Sequence, residues 1–328
     1  MANKAEQGRF GLGGLLFGAV LGAAGAWVLY SRFGIPHDLS IPQAVDAERG
    51  TLEHARLGRA NYYAAQRAAG RPLVLLHSIN AAASAYEMRP LFEAYQAKRP
   101  VYALEWPGFG LSERAARIYS PQFYQDVLTE FLTTVVREPA DVVALSLGGE
   151  FAARAAMQRP DLFHSLAILS PTGLSRDSLS PRSLGLSNAL HPWLSFRLWG
   201  RPLFDLIATR SSIEYFLRKS FVGHIPPGMV EYAFISAHQP GAEFAPLYFL
   251  AGKLFTPQVR ERVYEPMRVP ALALYDSDPY STYEALPELL LRNHLWQAVR
   301  LVPSRGMAHW ERPADTREVL DAFWKSVK

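Results

Sequence analysis

The 328-residue sequence contains no cysteine. That excludes disulfides, a thiolate nucleophile and any cysteine-bound metal, and leaves the redox compartment unmarked. No block of lysine and arginine stands out either. The 34 basic and 30 acidic residues are spread along the chain, so a net charge of +4 bears on solubility rather than on a nucleic-acid partner. Internal repeats and low-complexity stretches are lacking, and 49% apolar with 20% charged residues is the composition of a folded globular protein. Two glycine-rich stretches, "GLGG" and "GFGLS", are present. Neither follows a strand as a complete G-x-G-x-x-G with a later acidic residue, which argues against a dinucleotide site. No metal and no cofactor are expected.

Charge is also missing between Arg9 and Arg32, where "FGLGGLLFGAVLGAAGAWVLYS" runs from Phe10 to Ser31. As a helix this run would rise about 33 Å, enough for a hydrocarbon core of about 30 Å. Gly14, Gly18, Gly22 and Ala26 recur every four residues, and Trp27 with Tyr30 lies toward one end, where amphipathic rings favour the membrane interface. The expectation is a single-pass membrane anchor over residues 1–32, with a cytoplasmic N-terminus and the main domain outside. The alternative is a cleaved signal ending at "AGA", residues 24–26, and hence a secreted or periplasmic protein.

After a linker at 33–49 the chain alternates short apolar runs with helix-period segments, the pattern of a mostly parallel sheet flanked by helices. An opening hairpin is expected at 51–57 and 59–65, followed by strands at 73–77, 101–106, 141–146, 166–170, 271–275 and 297–303, eight in all. Their near-continuous apolar character suits strands buried on both faces. The alternation breaks between Thr172 and Val269, a length that no unstructured loop of a compact domain would have. The expected organisation is an α/β core of residues 50–171 and 270–328 with a helical cap inserted at 172–269.

One hydroxyl stands out. In "VVALSLGGEF" Ser146 ends an apolar strand and is followed by Leu147, Gly148 and Gly149, the start of a helix. A side chain at such a reversal is lifted above the sheet, small neighbours such as Ala144 and Gly148 avoid clashes, and the helix amino end favours developing negative charge. That is what a serine needs to attack a carbonyl carbon. Glu150, in the first turn, reads as a carboxylate favoured by the helix dipole.

On these residues the sequence resembles the α/β-hydrolase superfamily, of the capped kind, over residues 50–328. The G-x-S-x-G pattern is met with alanine in the first position, and "LVLLHSINAAASAYEMRPL", "LEWPGFGLSER", "VPALALYDSDPY" and "GMAHWERPADTREVLDAFW" follow in the family's order. The resemblance implies a triad with Ser146 as nucleophile and His309 as base, His77 having a structural part. It implies Asp278 as the acid that orients the base, with Asp276 as the alternative, and backbone N–H groups of Ile79 and Leu147 as the oxyanion hole. Aromatic and leucine-rich cap segments such as "NALHPWLSFRLWGRPLFDLI" suit a lipophilic substrate. The expected function is hydrolysis of a lipid or small-molecule carboxylic ester through an acyl-enzyme. Alternatives are carbon–carbon bond hydrolysis or acyl transfer by the same triad, or a membrane-tethered binding protein of this fold without turnover.

Overall fold

The computed structural model of the chain describes residues 12–176 and 189–327, with side chains in the first helix described from residue 18. Eight strands form one sheet: β1 (Glu48–His54), β2 (Gly58–Ala65), β3 (Leu73–Leu76), β4 (Val101–Leu104), β5 (Ala140–Leu145), β6 (Phe163–Leu169), β7 (Ala271–Ser277) and β8 (Trp296–Arg305). Their order is β1-β2-β4-β3-β5-β6-β7-β8. β1 and β2 pair antiparallel with each other, as do β2 and β4, and every later pairing is parallel. The sheet expected from the apolar runs is therefore present, with β6 beginning earlier and β8 ending later than their hydrophobic segments suggest.

Every residue of β3, β4 and β5 is buried, because helices cover both faces. Alternation along the strands divides the core in two. Val74, Leu76, Leu104, Val142 and Ala144 pack with Tyr124, Leu128 and Phe131 of α3 (Pro121–Phe131) and Phe151 of α4 (Gly148–Gln158). Leu73, Leu75, Val101, Ala103 and Val143 point to the other face. There they meet α2 (Arg89–Tyr95) and α11 (Pro313–Ser326) through Leu91, Phe92, Leu320 and Phe323. α3 starts where its sequence says it should: Pro121 occupies its first turn, and the Ser120 hydroxyl accepts from the Phe123 N–H at 3.1 Å.

Between β6 and β7 the described chain contains α5 (Gly200–Ile207), α6 (Arg210–Lys219), α7 (Met229–Ala237) and α8 (Phe244–Leu250). Two further short helices, α9 (Leu286–Arg292) and α10 (Ala308–Glu311), flank β8.

The N-terminal expectation needs correction. α1 (Leu12–Phe33) is helical, but no helix among the described residues is long and apolar enough to cross a membrane. The expected span begins at Phe10, outside the described residues. Polar contacts also tie the end of α1 to the fold. Trp27 Nε1 donates to the Pro202 carbonyl at 2.8 Å, and the Ser31 hydroxyl donates to buried Asp205 at 2.6 Å.

Candidate active site

Ser146 follows the last residue of β5 with φ at 51°, a left-handed conformation that costs a residue with a Cβ on the order of 1 kcal/mol or more. The reversal is held from both sides. The Ser146 N–H donates to the Leu169 carbonyl at 2.8 Å, at the end of the neighbouring strand. A Cβ on Gly148 would lie 2.5 Å from the His77 carbonyl oxygen, and one on Gly149 would lie 2.4 Å from Ile168 Cγ2. Only glycine lets α4 start this close to the sheet. The small residues after Ser146 thus have a steric cause that the sequence already suggested.

The loop after β3 faces this turn. His77 is fully buried, which pushes its pKa down to about 3, so the ring is neutral. Its Nε2 accepts from the Trp106 backbone N–H at 3.1 Å, which assigns the proton to Nδ1, 2.7 Å from the Ser78 carbonyl oxygen. Trp106 Nε1 in turn donates to the His77 carbonyl. Both ring nitrogens of His77 are thus engaged with backbone groups of this loop and of the chain after β4. The loop itself is held by Glu87, which the sequence did not single out. Its carboxylate accepts from the Ser78 N–H at 2.8 Å, the Ser78 hydroxyl at 3.0 Å and Asn80 Nδ2 at 2.9 Å, while burial raises its pKa. Among the described residues no acceptor meets the N–H of Ile79 or of Leu147.

The acid side lies at the ends of β6, β7 and β8. Asp276 is committed elsewhere, accepting from Arg300 Nε and from the Ser304 N–H, both at 2.9 Å. Asp278 accepts from the Tyr280 N–H at 2.7 Å, and desolvation raises its pKa. Ser170, the residue after β6, also has a left-handed φ of 49°. Its hydroxyl donates to the Gly306 carbonyl at 3.2 Å, and Ser170 opposes the upward push of desolvation on the Asp278 carboxyl.

Facing Asp278 is not an imidazole but a glycine. A Cβ on Gly306 would stand 3.6 Å from Asp278 Oδ2 and 3.5 Å from Ser220 Cβ of the chain after α6. His309, three residues on and in α10, is fully buried and turned another way. Its Nε2 lies 2.7 Å from the Glu87 carbonyl oxygen, which also accepts from Trp310 Nε1 at 2.7 Å. A carbonyl only accepts, so Nε2 carries the proton and Nδ1 holds the lone pair, buried with no hydrogen-bond partner. Burial pushes this imidazole down to about 4, so it is neutral. No hydrogen bond joins His309 to Ser146 or to Asp278. The structure therefore brings Ser146, Ser170 and Asp278 to adjacent strand ends and leaves His309 engaged with the segment before α2.

Glu150 does more than meet the dipole of α4. It is buried, accepts from the Thr172 hydroxyl at 2.5 Å and from the Thr256 N–H at 2.7 Å, and is pushed up to about 7 by desolvation. These partners lie near the two ends of the segment inserted between β6 and β7. Among the described residues no group of histidines and carboxylates has the arrangement of a metal site.

Comparison with known proteins adds a family. A model described as the alpha/beta hydrolase family matches residues 73–319. The chain is 30% identical over 119 residues to the uncharacterized hydrolase YugF of Bacillus subtilis, covering 36% of this chain and 43% of that protein. It is 28% identical over 120 residues to (E)-2-((N-methylformamido)methylene)succinate hydrolase of Acinetobacter baylyi, covering 37% and 44%. The matched segment thus spans less than half the length of either relative. Among solved structures, a membrane phospholipase A described as a bacterial virulence factor superposes with a TM-score of 0.66 at 17% identity, covering 97% of this chain and 98% of that one. At that identity the likeness is one of fold.

Proposed function

The chain belongs to the α/β-hydrolase family, and from that premise we propose that it hydrolyses a carboxylic ester, lipid or small-molecule, with Ser146 carrying the acyl group. The observation behind this reading is the left-handed turn at Ser146, which places a hydroxyl between the end of β5 and the amino end of α4. The attacking oxygen would give its proton to a base, and the carbonyl oxygen would draw on the free N–H groups of Ile79 and Leu147. Asp278 is the proposed acid, since the oxygens of Asp276 are both occupied. His309 is the proposed base, and it can serve only after its ring leaves the Glu87 carbonyl, because its lone pair now sits on Nδ1. The relatives' hydrolase names and the phospholipase likeness support a hydrolytic role and a lipophilic substrate.

A second reading, a binding protein that keeps the fold without turnover, is favoured by Gly306 standing where an imidazole would meet Asp278. Fluorophosphonate labelling separates the two. Under the first reading wild type is labelled, while Ser146→Ala and His309→Gln are not. Under the second, wild type stays unlabelled and labelling appears in Gly306→His. A panel of p-nitrophenyl esters of rising chain length then reads the acyl preference.

A further inference from the structure

We infer that the exposed apolar face of the inserted segment beside α1 docks on a phospholipid surface. The inference stands independently of whether Ser146 turns over a substrate.

α1 carries no charged residue from Leu12 to Ser31, and its side chains from Gly18 to Ala26 are exposed, Val20 at 65% and Leu21 at 57%. A helix apolar on every side has no face suited to water, and a protein groove would cover only one of its faces. The end of this helix is nevertheless held firmly. Ser31 and His37 both reach Asp205 on α5, at 2.6 and 3.0 Å, while Arg201 pairs with the other oxygen of Asp205 at 2.8 Å. Asp205 is fully buried with its acceptors filled, so the direction in which α1 leaves the protein is set by α5.

The surface around that exit is the apolar one. Trp193 is 59%, Phe196 50%, Leu198 52% and Leu206 53% exposed, with the Phe196 ring 4.5 Å from that of Trp199. Arg32 joins this patch to α1, donating to the Arg197 and Leu198 carbonyls at 3.3 and 3.4 Å. A cluster of exposed aromatics and leucines with the exposed side chains of Arg32 and Arg197 at its rim, set where an apolar helix departs, has the chemistry of a phospholipid interface. Rings and alkyl groups meet the acyl boundary, and guanidinium groups meet phosphates.

The lack of cysteine makes the test direct, because a single introduced cysteine carries the only label. Full-length Phe196→Cys and Leu206→Cys, each bearing an environment-sensitive fluorophore, are mixed with vesicles of phosphatidylcholine and phosphatidylglycerol. Ile118→Cys, 76% exposed and outside the patch, is the control. The expected result is co-flotation of protein with vesicles, a blue shift at 196 and 206, and quenching there by lipids brominated near the headgroup, with neither change at 118. Labels at 196 and 206 that stay solvent-like in floated protein would overturn the docking of this face. So would failure to float. A blue shift at 196 and 206 without lipid that tracks protein concentration would assign the patch to a second copy and also overturn it.

Discussion

Ser146 shows most plainly how a residue's backbone and its chemistry are coupled. Its φ of 51° is tolerated by glycine at no steric cost, so Ser146→Gly should raise stability by about 1 kcal/mol in urea unfolding while removing every trace of phosphonate labelling. Loss of stability in that variant would mean the hydroxyl holds the turn rather than serving chemistry. The buried histidines carry a pH dependence of definite sign. His309 and His77 are held down, to about 4 and about 3, so the folded state takes up fewer protons than the unfolded chain below the ordinary value of 6.5. Stability is complete above that pH and is lost as acid is added toward the folded values, by on the order of 3 kcal/mol for His309 and 5 kcal/mol for His77 at about 1.4 kcal/mol per pKa unit. His309→Gln should flatten part of this acid loss in a melting series from pH 7 to pH 4. Because the ring must leave the Glu87 carbonyl before it acts as base, Ser146-dependent labelling should fall as pH drops through about 6.5, the ordinary value of an imidazole.

At the scale of elements, carboxylates tie helices to loops. Glu87 joins the start of α2 to the loop after β3 with its side chain, and holds α10 with its carbonyl. Glu150 joins α4 to Thr172 and Thr256. Replacing Glu150 by alanine strands the Thr256 N–H and opens a cavity, an expected cost of about 2–3 kcal/mol. Its pKa is raised to about 7 from 4.5, so the folded state prefers it protonated and stability declines as pH rises through that interval. Glu150→Gln keeps the size and removes the ionisation. Its denaturation midpoint should therefore fall less than that of wild type between pH 5 and pH 8, and an unchanged slope would show that Glu150 contributes nothing to it. Glu105, also raised to about 7, retains its own share in both proteins.

Across the whole molecule, long-range contacts decide how the parts face one another. The junction between α1 and α5 rests on Asp205, and Asp205→Ala should abolish slow amide exchange in the last two turns of α1 while leaving the protection of β5 and β6 unchanged. Much of the architecture was legible in the sequence, because it depends on local patterning. Apolar runs such as "LVLLH" and "DVVALS" between turn signals read as strands covered on both sides, Ser120 and Pro121 suit a helix start, and two glycines after Ser146 suit a close approach of helix to sheet. The candidate site was legible to the same depth: the sharp turn at Ser146 and the acidic strand end were visible, and the choice of proposed acid between Asp276 and Asp278 was not. That choice depends on Arg300 and Ser304, more than twenty residues further along the chain. The direction of the His309 ring depends on Glu87, 222 residues away, and the position of Gly306 opposite Asp278 depends on the register of two neighbouring strand ends. Periodicity and turn chemistry act within a few residues and so are written in the order of amino acids. Hydrogen-bond partners of buried polar groups are chosen only when distant segments pack, and only the tertiary structure could assign them.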